Sequence, residues 1–340
     1  VRDRAPIHAA KSRLRWQDRR MTFPITFGVF MPQGWKMELA GIDGAEAKWQ
    51  TAVDIAVKAE ELGFDSLWVY DHFHNVPRPA HEAVFECWTT IAAISQRTSR
   101  IRLGQMVGCN SYRNPSVLAK ITSTIDVISG GRLDFGLGAG WYENEYTAYG
   151  FEFPAPKVRI GMLKEAVEIV KSMWTEEETT YDGKYYKLQR ANCDPKPLQQ
   201  PHPPILIGGG GEQLTLRVVA RLADRSNFGG TPEEFARKCE ILKQHCKDVG
   251  RDYDEIEKTI SGEVMIRESE DELRAIGSKS LWGQPFDEWQ KGSLVGTPEQ
   301  VAEKIQAYVD LGATGFYPWT SDYPETQSIE LLASVAKQFR

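Results

Sequence analysis

The sequence predicts an α/β chain folded as a (β/α)8 barrel, a TIM barrel, with insertions after strands 4 and 7. Three observations lead there. Eight short runs rich in apolar and β-branched residues alternate with longer stretches of helical period, the order that builds a parallel sheet from βα units. Several of these runs are apolar almost throughout, as strands buried on both faces are. The unusual residues (glycines, amides, a carboxylate and a histidine) collect at the downstream ends of the runs, where a barrel of this kind places its chemistry.

The strands are predicted in order at 25–30 (ITFGVF), 66–71 (SLWVYD), 101–107 (IRLGQMV), 132–138 (RLDFGLG), 204–209 (PILIGG), 225–228 (RSNF), 259–266 (TISGEVMI) and 314–319 (TGFYPW). After the first strand, Trp49, Val53, Ala56 and Val57 recur at i, i+4, i+7 and i+8, the spacing of one buried helical face. Two later helices open on the same device, TPEE at Thr231–Glu234 and TPEQ at Thr297–Gln300. Each supplies a threonine cap, a proline at the first helical position and Glu or Gln three residues on. Val301, Ile305 and Val309 mark the inward face of the second. Residues 174–203 and 268–296 are too long for a simple connection. The first holds an Asp182-Gly183 hairpin turn. Both read as insertions near the site mouth, whose aromatics (Tyr181, Tyr185, Tyr186, Trp282, Phe286 and Trp289) are candidates for substrate specificity.

Without internal repeats or a low-complexity linker, residues 21–340 read as one domain. The preceding segment 1–20 is basic, and we expect a loose, disordered extension with Met21 as a candidate start. Its Arg19-Arg20 pair lacks the apolar stretch and cleavage site of an export signal. A net charge of -6 argues against nucleic acid or an anionic membrane as the main partner. No run reaches the roughly 20 apolar residues of a membrane span. Five scattered cysteines with no C-x-x-C spacing fit reduced thiols and a cytoplasmic location.

The strand ends narrow the chemistry. Strand five runs into Gly208, Gly209, Gly210 and Gly211 before a helix, a place where backbone N–H groups can approach a phosphate. Gly138, Ala139 and Gly140 after strand four do not match G-x-G-x-x-G and give no support to a Rossmann fold. His72, His74 and His81 would need further ligands from later strands to hold a metal, and the downstream histidines, His202 and His245, fall elsewhere. We expect no metal site. No G-x-S-x-G is present, and paired carboxylates are lacking apart from Asp71 and Glu263. Cys109 reads as a small packing residue. A rim of glycine, amide, aromatic and sulfur suits a large planar redox cofactor better than hydrolysis.

The segments AEELGFDSLWVYDHF, RIRLGQMVGCNSYRNPSVLAKITSTIDVISGGRLDFGLGAGWYENEYTAYG, PPILIGGGGEQLTLRVVARLAD and GTPEQVAEKIQAYVDLGATGF resemble the bacterial-luciferase-like superfamily. Within it they are most similar to the deazaflavin (coenzyme F420) dependent oxidoreductases, over residues 25 to 320. The resemblance implies a cofactor ring at the barrel mouth, backed by a non-prolyl cis peptide at Met106-Val107. It implies a ring edge along Gly138–Gly140, and phosphate at Gly208–Gly211 assisted by Asn227, Phe228, Gly229 and Gly230. His72 is then the proton donor or orienting group, with Asp71 fixing its tautomer. The partners implied are a small-molecule substrate and, since the family often dimerises, a second copy of the chain. Two departures stand out: the sugar-phosphate dehydrogenase branch has glutamate where this chain has Trp141, and a tryptophan shortly after Asp-His-Phe that is missing here. Two other activities remain open: an FMN-dependent monooxygenase using reduced flavin and oxygen, and a flavin- or deazaflavin-binding protein without turnover.

Overall fold

In the computed structural model, which describes residues 23–340, eight parallel strands close on themselves. They are β1 (Thr26–Phe30), β2 (Ser66–Val69), β3 (Arg102–Gln105), β4 (Leu133–Gly138), β5 (Ile205–Gly208), β6 (Arg225–Asn227), β7 (Glu257–Ile260) and β8 (Gly315–Phe316). Each pairs with its sequence neighbours, and β8 returns to β1 with Thr26 opposite Gly315. The helices that follow the strands are α1 (Ala45–Glu61), α2 (Cys87–Ser95), α3 (Pro115–Ile128), α4 (Pro156–Thr175), α5 (Thr215–Leu222), α6 (Pro232–Val249), α7 (Pro298–Asp310) and α8 (Gln327–Ala336). The predicted extension 1–20, with Met21, lies outside the described residues. Among the described residues no helix is long and apolar enough to cross a membrane.

Alternation along the strands sorts the core into two layers. Phe27, Val29, Leu67, Val69, Phe135 and Ile207 point outward into the layer shared with the helices. Phe30, Trp68, Leu206 and Tyr317 form a separate inner cluster. Trp68 is wholly buried, and two glycines make its space: a Cβ on Gly104 would fall 2.5 Å from its ring, and one on Gly28 2.7 Å from its Nε1. At such separations the indole would have to move, so these strand glycines are packing requirements.

The predicted elements hold, with local differences. Both capping boxes form, at Thr231–Glu234 and Thr297–Gln300. On α1 the buried face is centred on Ala52, Val53, Ile55, Ala56 and Ala59, while Trp49 and Val57 flank it. Strand 259–266 divides at Ser261-Gly262. Its second half, Glu263–Ile266, joins a three-stranded parallel sheet with Leu294–Gly296 and Trp319–Thr320, because the eighth strand divides in the same way. The long connection before β5 forms the expected hairpin, Thr179–Asp182 with Lys187–Ala191. It follows α4 and lies along it: Glu165 accepts from the N–H groups of Lys184, Tyr185 and Tyr186 at 2.9, 2.8 and 3.1 Å.

Candidate functional site

At the C-terminal ends of the strands lies a cavity of about 480 Å³. Its floor is the end of β3, where Met106-Val107 is a cis peptide as expected. Val107 sits between two bare backbones: a Cβ on Gly138 would come within 2.6 Å of its Cγ2, and one on Gly208 within 2.7 Å of its Cγ1. The glycines ending β4 and β5 therefore let Val107 protrude into the cavity. Gly140, at φ +76°, has no room for a side chain beside the Tyr146 hydroxyl.

His72 stands on the wall. Its ring stacks on Trp35, with centroids 4.1 Å apart and planes 3° from parallel, and its Nδ1 lies 2.8 Å from Oε2 of Glu145. Glu145 is fully buried. It also accepts from Tyr112 Oη at 2.7 Å and from the backbone N–H groups of Phe73 and His74 at 2.6 and 2.9 Å. Burial pushes this carboxyl up, but its bonds from His72, His74 and Tyr112 outweigh that and hold it below the usual carboxylate range. Asp71 does not orient His72. Its Oδ2 accepts from the Cys109 N–H at 2.8 Å, and it forms a two-pronged pair with Arg113 at 2.7 and 3.0 Å. Asp71 thus ties the end of β2 to the loop after β3, and it is Glu145 that lies against His72 Nδ1. Glu145 belongs to a short helix, Glu143–Ala148, that follows Trp141. The tryptophan that the resemblance places after Asp-His-Phe is absent here, and Trp35, from the loop after β1, stacks on His72.

On the opposite side, Gly208, Gly209, Thr215 and Asn227 line the cavity. Asn227 donates to Thr259 Oγ1 at 3.0 Å and accepts from Ser261 Oγ at 2.9 Å. Arg159, in the first turn of α4, is buried, covers the Phe153 ring at 4.0 Å, and bonds only the Pro154 carbonyl. Its Nε has no partner, and among the described residues no carboxylate is within ion-pairing distance. Of the predicted site residues, Asp71, His72, Met106, Val107, Gly138, Ala139, Gly140, Gly208, Gly209 and Asn227 line the cavity. The others do not. Gly210 and Gly211 lie beyond it in the turn to α5, Phe228 is core at 2% exposure, and Gly229 lines a separate cavity of about 590 Å³.

The insertions contribute unequally. Leu281 and Trp282 line the mouth, where Trp141 and Trp282 stand 55% and 58% exposed. Trp289 is wholly buried with Met265, Leu273 and Val295, and Phe286 packs against them. Tyr181, Tyr185 and Tyr186 stay with the hairpin: Tyr181 donates to Glu168 at 2.6 Å, and the Tyr186 hydroxyl accepts from Asn110 at 3.1 Å. Glu263 is buried and accepts from Ser321 at 2.8 Å, and burial pushes its carboxyl up. Among the described residues the one cluster with metal-ligand spacing is Asp71, Glu86 and Cys87, and Arg113 already bridges both of its carboxylates. Cys109 packs against the Tyr146 hydroxyl at 3.1 Å, and burial pushes its thiol up to about 12.

A closed (β/α)8 barrel with a glycine-framed floor and a carboxylate-held histidine at its mouth defines a class of cavity-bearing enzyme. The comparisons identify which. Residues 25–288 match the family model described as luciferase-like monooxygenase. The chain is 31% identical over 293 residues to an F420-dependent glucose-6-phosphate dehydrogenase of Kineococcus radiotolerans, covering 77% of this chain and 84% of that one. It is 30% identical over 296 residues to a protein of the same name from Gordonia bronchialis, covering 76% and 84%. In fold it is similar to an F420-dependent secondary alcohol dehydrogenase (TM-score 0.79, 20% identity, 94% of this chain and 100% of that one). A coenzyme F420-dependent tetrahydromethanopterin reductase from Methanopyrus kandleri is also similar in fold (TM-score 0.74, 20% identity, 94% and 100%). The chain belongs to the luciferase-like monooxygenase family.

Proposed function

We propose that this protein is an oxidoreductase that binds a deazaflavin, coenzyme F420, at the barrel mouth and exchanges hydride with a small organic substrate. The observation that carries the proposal is His72, held through Nδ1 by a buried carboxylate, on the wall of a cavity whose floor is Val107 between side-chain-free strand ends. That floor fits a flat ring: Gly138, Ala139 and Gly140 leave backbone along one edge, and Met106-Val107 supplies the surface beneath. The phosphate would lie at Gly208-Gly209 and the start of α5, where the helix N-terminus favours an anion, with Arg159, which has no carboxylate partner among the described residues, on the lining of the same cavity. When bound, the deazaflavin supplies the hydride-accepting and hydride-donating carbon.

The chain's own contribution is proton handling and positioning. With Glu145 accepting from Nδ1–H, the neutral imidazole carries its free lone pair on Nε2. Nε2 can take the proton of a substrate hydroxyl as hydride leaves the adjacent carbon, and return it in reduction. The resulting imidazolium is stabilised by Glu145 at 2.8 Å. Trp35, stacked on the ring, fixes its plane and keeps water from its face. Relatives at about 30% identity carry the name glucose-6-phosphate dehydrogenase, but the bulky, exposed Trp141 here and the aromatic wall favour a less polar substrate than a sugar phosphate. The five free cysteines, all buried, support a cytosolic setting.

The family's description as monooxygenases supports a second reading, with FMN in the same place and oxygen as co-substrate. Titration of the purified protein with deazaflavin and with FMN, followed by fluorescence, separates the two. We expect saturable deazaflavin binding at least tenfold tighter than FMN. Tighter FMN binding, with oxygen uptake in the presence of reduced FMN, would transfer the assignment to the second reading.

A further inference from the structure

The loop after β1 places a lysine on the cavity wall that the proposed chemistry does not use. Lys36 Nζ lies 2.8 Å above the Trp319 ring centroid and 4.6 Å from that of Tyr70, with Trp35 at 5.3 Å. Of its three N–H donors, one bonds the Tyr70 hydroxyl at 2.7 Å. Among the described residues no carboxylate forms an ion pair with it. Glu38, two residues on, has both oxygens taken by backbone N–H groups, those of Gln33 at 2.9 Å and Lys36 at 2.6 Å. Glu263 accepts from Ser321 at 2.8 Å, and burial pushes its carboxyl up. The amine therefore lines the cavity with two donors free, over aromatic faces and with no carboxylate in direct contact among the described residues. Burial pulls it below the usual lysine range, with Glu38 and Glu263 opposing.

We infer that Lys36 is a substrate subsite that takes the carboxylate of a small acid whose planar, apolar part lies against the cavity's aromatic lining. A neutral oxygen would satisfy one donor but leave the ammonium uncompensated, whereas a carboxylate answers both charge and donors. The other lining cation, Arg159, is assigned to the cofactor phosphate. Lys36 and His72 share the Trp35 ring as neighbour, which puts the carboxylate subsite beside the proton-handling group. This inference rests on the proposed oxidoreductase reading for its biological meaning, but its test does not.

Calorimetry on the full chain, with and without saturating deazaflavin, would compare cinnamate, cinnamamide and acetate in wild type and Lys36→Met. The wild type should bind cinnamate at least tenfold tighter than cinnamamide, and acetate weakly for want of a ring. In Lys36→Met the acid–amide preference should vanish while cinnamamide and deazaflavin affinities stay within twofold of wild type. Equal binding of acid and amide by the wild type, or a preference that survives in Lys36→Met, overturns the inference. So does Lys36-dependent binding of glucose 6-phosphate with none of cinnamate. Should Lys36→Met misfold by circular dichroism, Lys36→Gln and the wild-type acid–amide pair decide it. Failure here with tight deazaflavin binding removes only the subsite, and the converse result removes only the cofactor assignment.

Discussion

The two ends of the barrel treat buried charge in opposite ways. At the N-terminal end, Arg102, Asp134, Arg225 and Glu257 come from the first residues of four strands and cancel one another. Arg102 Nη2 lies 2.6 Å and Arg225 Nη1 3.0 Å from Asp134, while Arg225 Nε is 2.6 Å from Glu257. Burial pushes Asp134 up, but the two guanidinium groups outweigh it and hold it below the usual range. At the C-terminal mouth, Lys36 and Arg159 form no ion pair among the described residues, and His72 keeps one nitrogen without a hydrogen bond to them. A closed network uses its charges on the fold, whereas open valences in a lined cavity are available to ligands.

The contrast can be broken at either end. The largest effect is expected at the mouth: His72→Ala should lower turnover about 10²–10⁴-fold, the range for a general acid–base group, with cofactor affinity and melting temperature nearly unchanged. Unchanged turnover would remove His72 from the mechanism and favour a binding protein without catalysis. Next, Asp134→Ala leaves Arg225 with Glu257 alone and Arg102 without its carboxylate. It should cost about 3–5 kcal/mol of stability in urea unfolding, and the protein that folds should keep its cofactor affinity. Gly104→Ala, pressing a methyl against Trp68, should cost about 1–3 kcal/mol, read as a lower urea midpoint at constant slope.

The smallest effect is a pH dependence, again at the N-terminal end. Glu60 accepts from the N–H groups of Ser99, Arg100 and Ile101 at 2.9, 2.6 and 2.8 Å. Burial is the largest single influence and pushes its carboxyl up, yet these bonds together bring it down to about 2 from an ordinary value of 4.5. A carboxylate lowered on folding stabilises above its unfolded value and loses that contribution as pH falls through the folded one. The stability gap between wild type and Glu60→Gln should therefore be full above about pH 5 and close between 4.5 and 2. A gap that widens with acid would contradict the assignment.

Strand–helix alternation, the glycine runs and the two TPE[EQ] caps are local patterns, and the barrel, its eight strands and the place of the mouth were legible from them. So was the position of His72, because a strand end is a property of the chain. What the local pattern could not show is which side chains meet. Asp71 precedes His72 in sequence, yet folding gives Asp71 to Arg113 and the Cys109 N–H. Glu145 reaches His72 from a short helix 73 residues away. Trp35 and Lys36 follow the first strand and showed one local sign, an aromatic and a cation at a strand end, but their partners Tyr70 and Trp319 come from the residue after β2 and the strand beyond β8. Arg159 sits in the first turn of a helix with nothing in its own segment to say it would be left unpaired. Sequence alone determined the fold and the rim on which chemistry stands. Only barrel closure decided the pairs, because it brings residues from eight separate strand ends within bonding distance of one another.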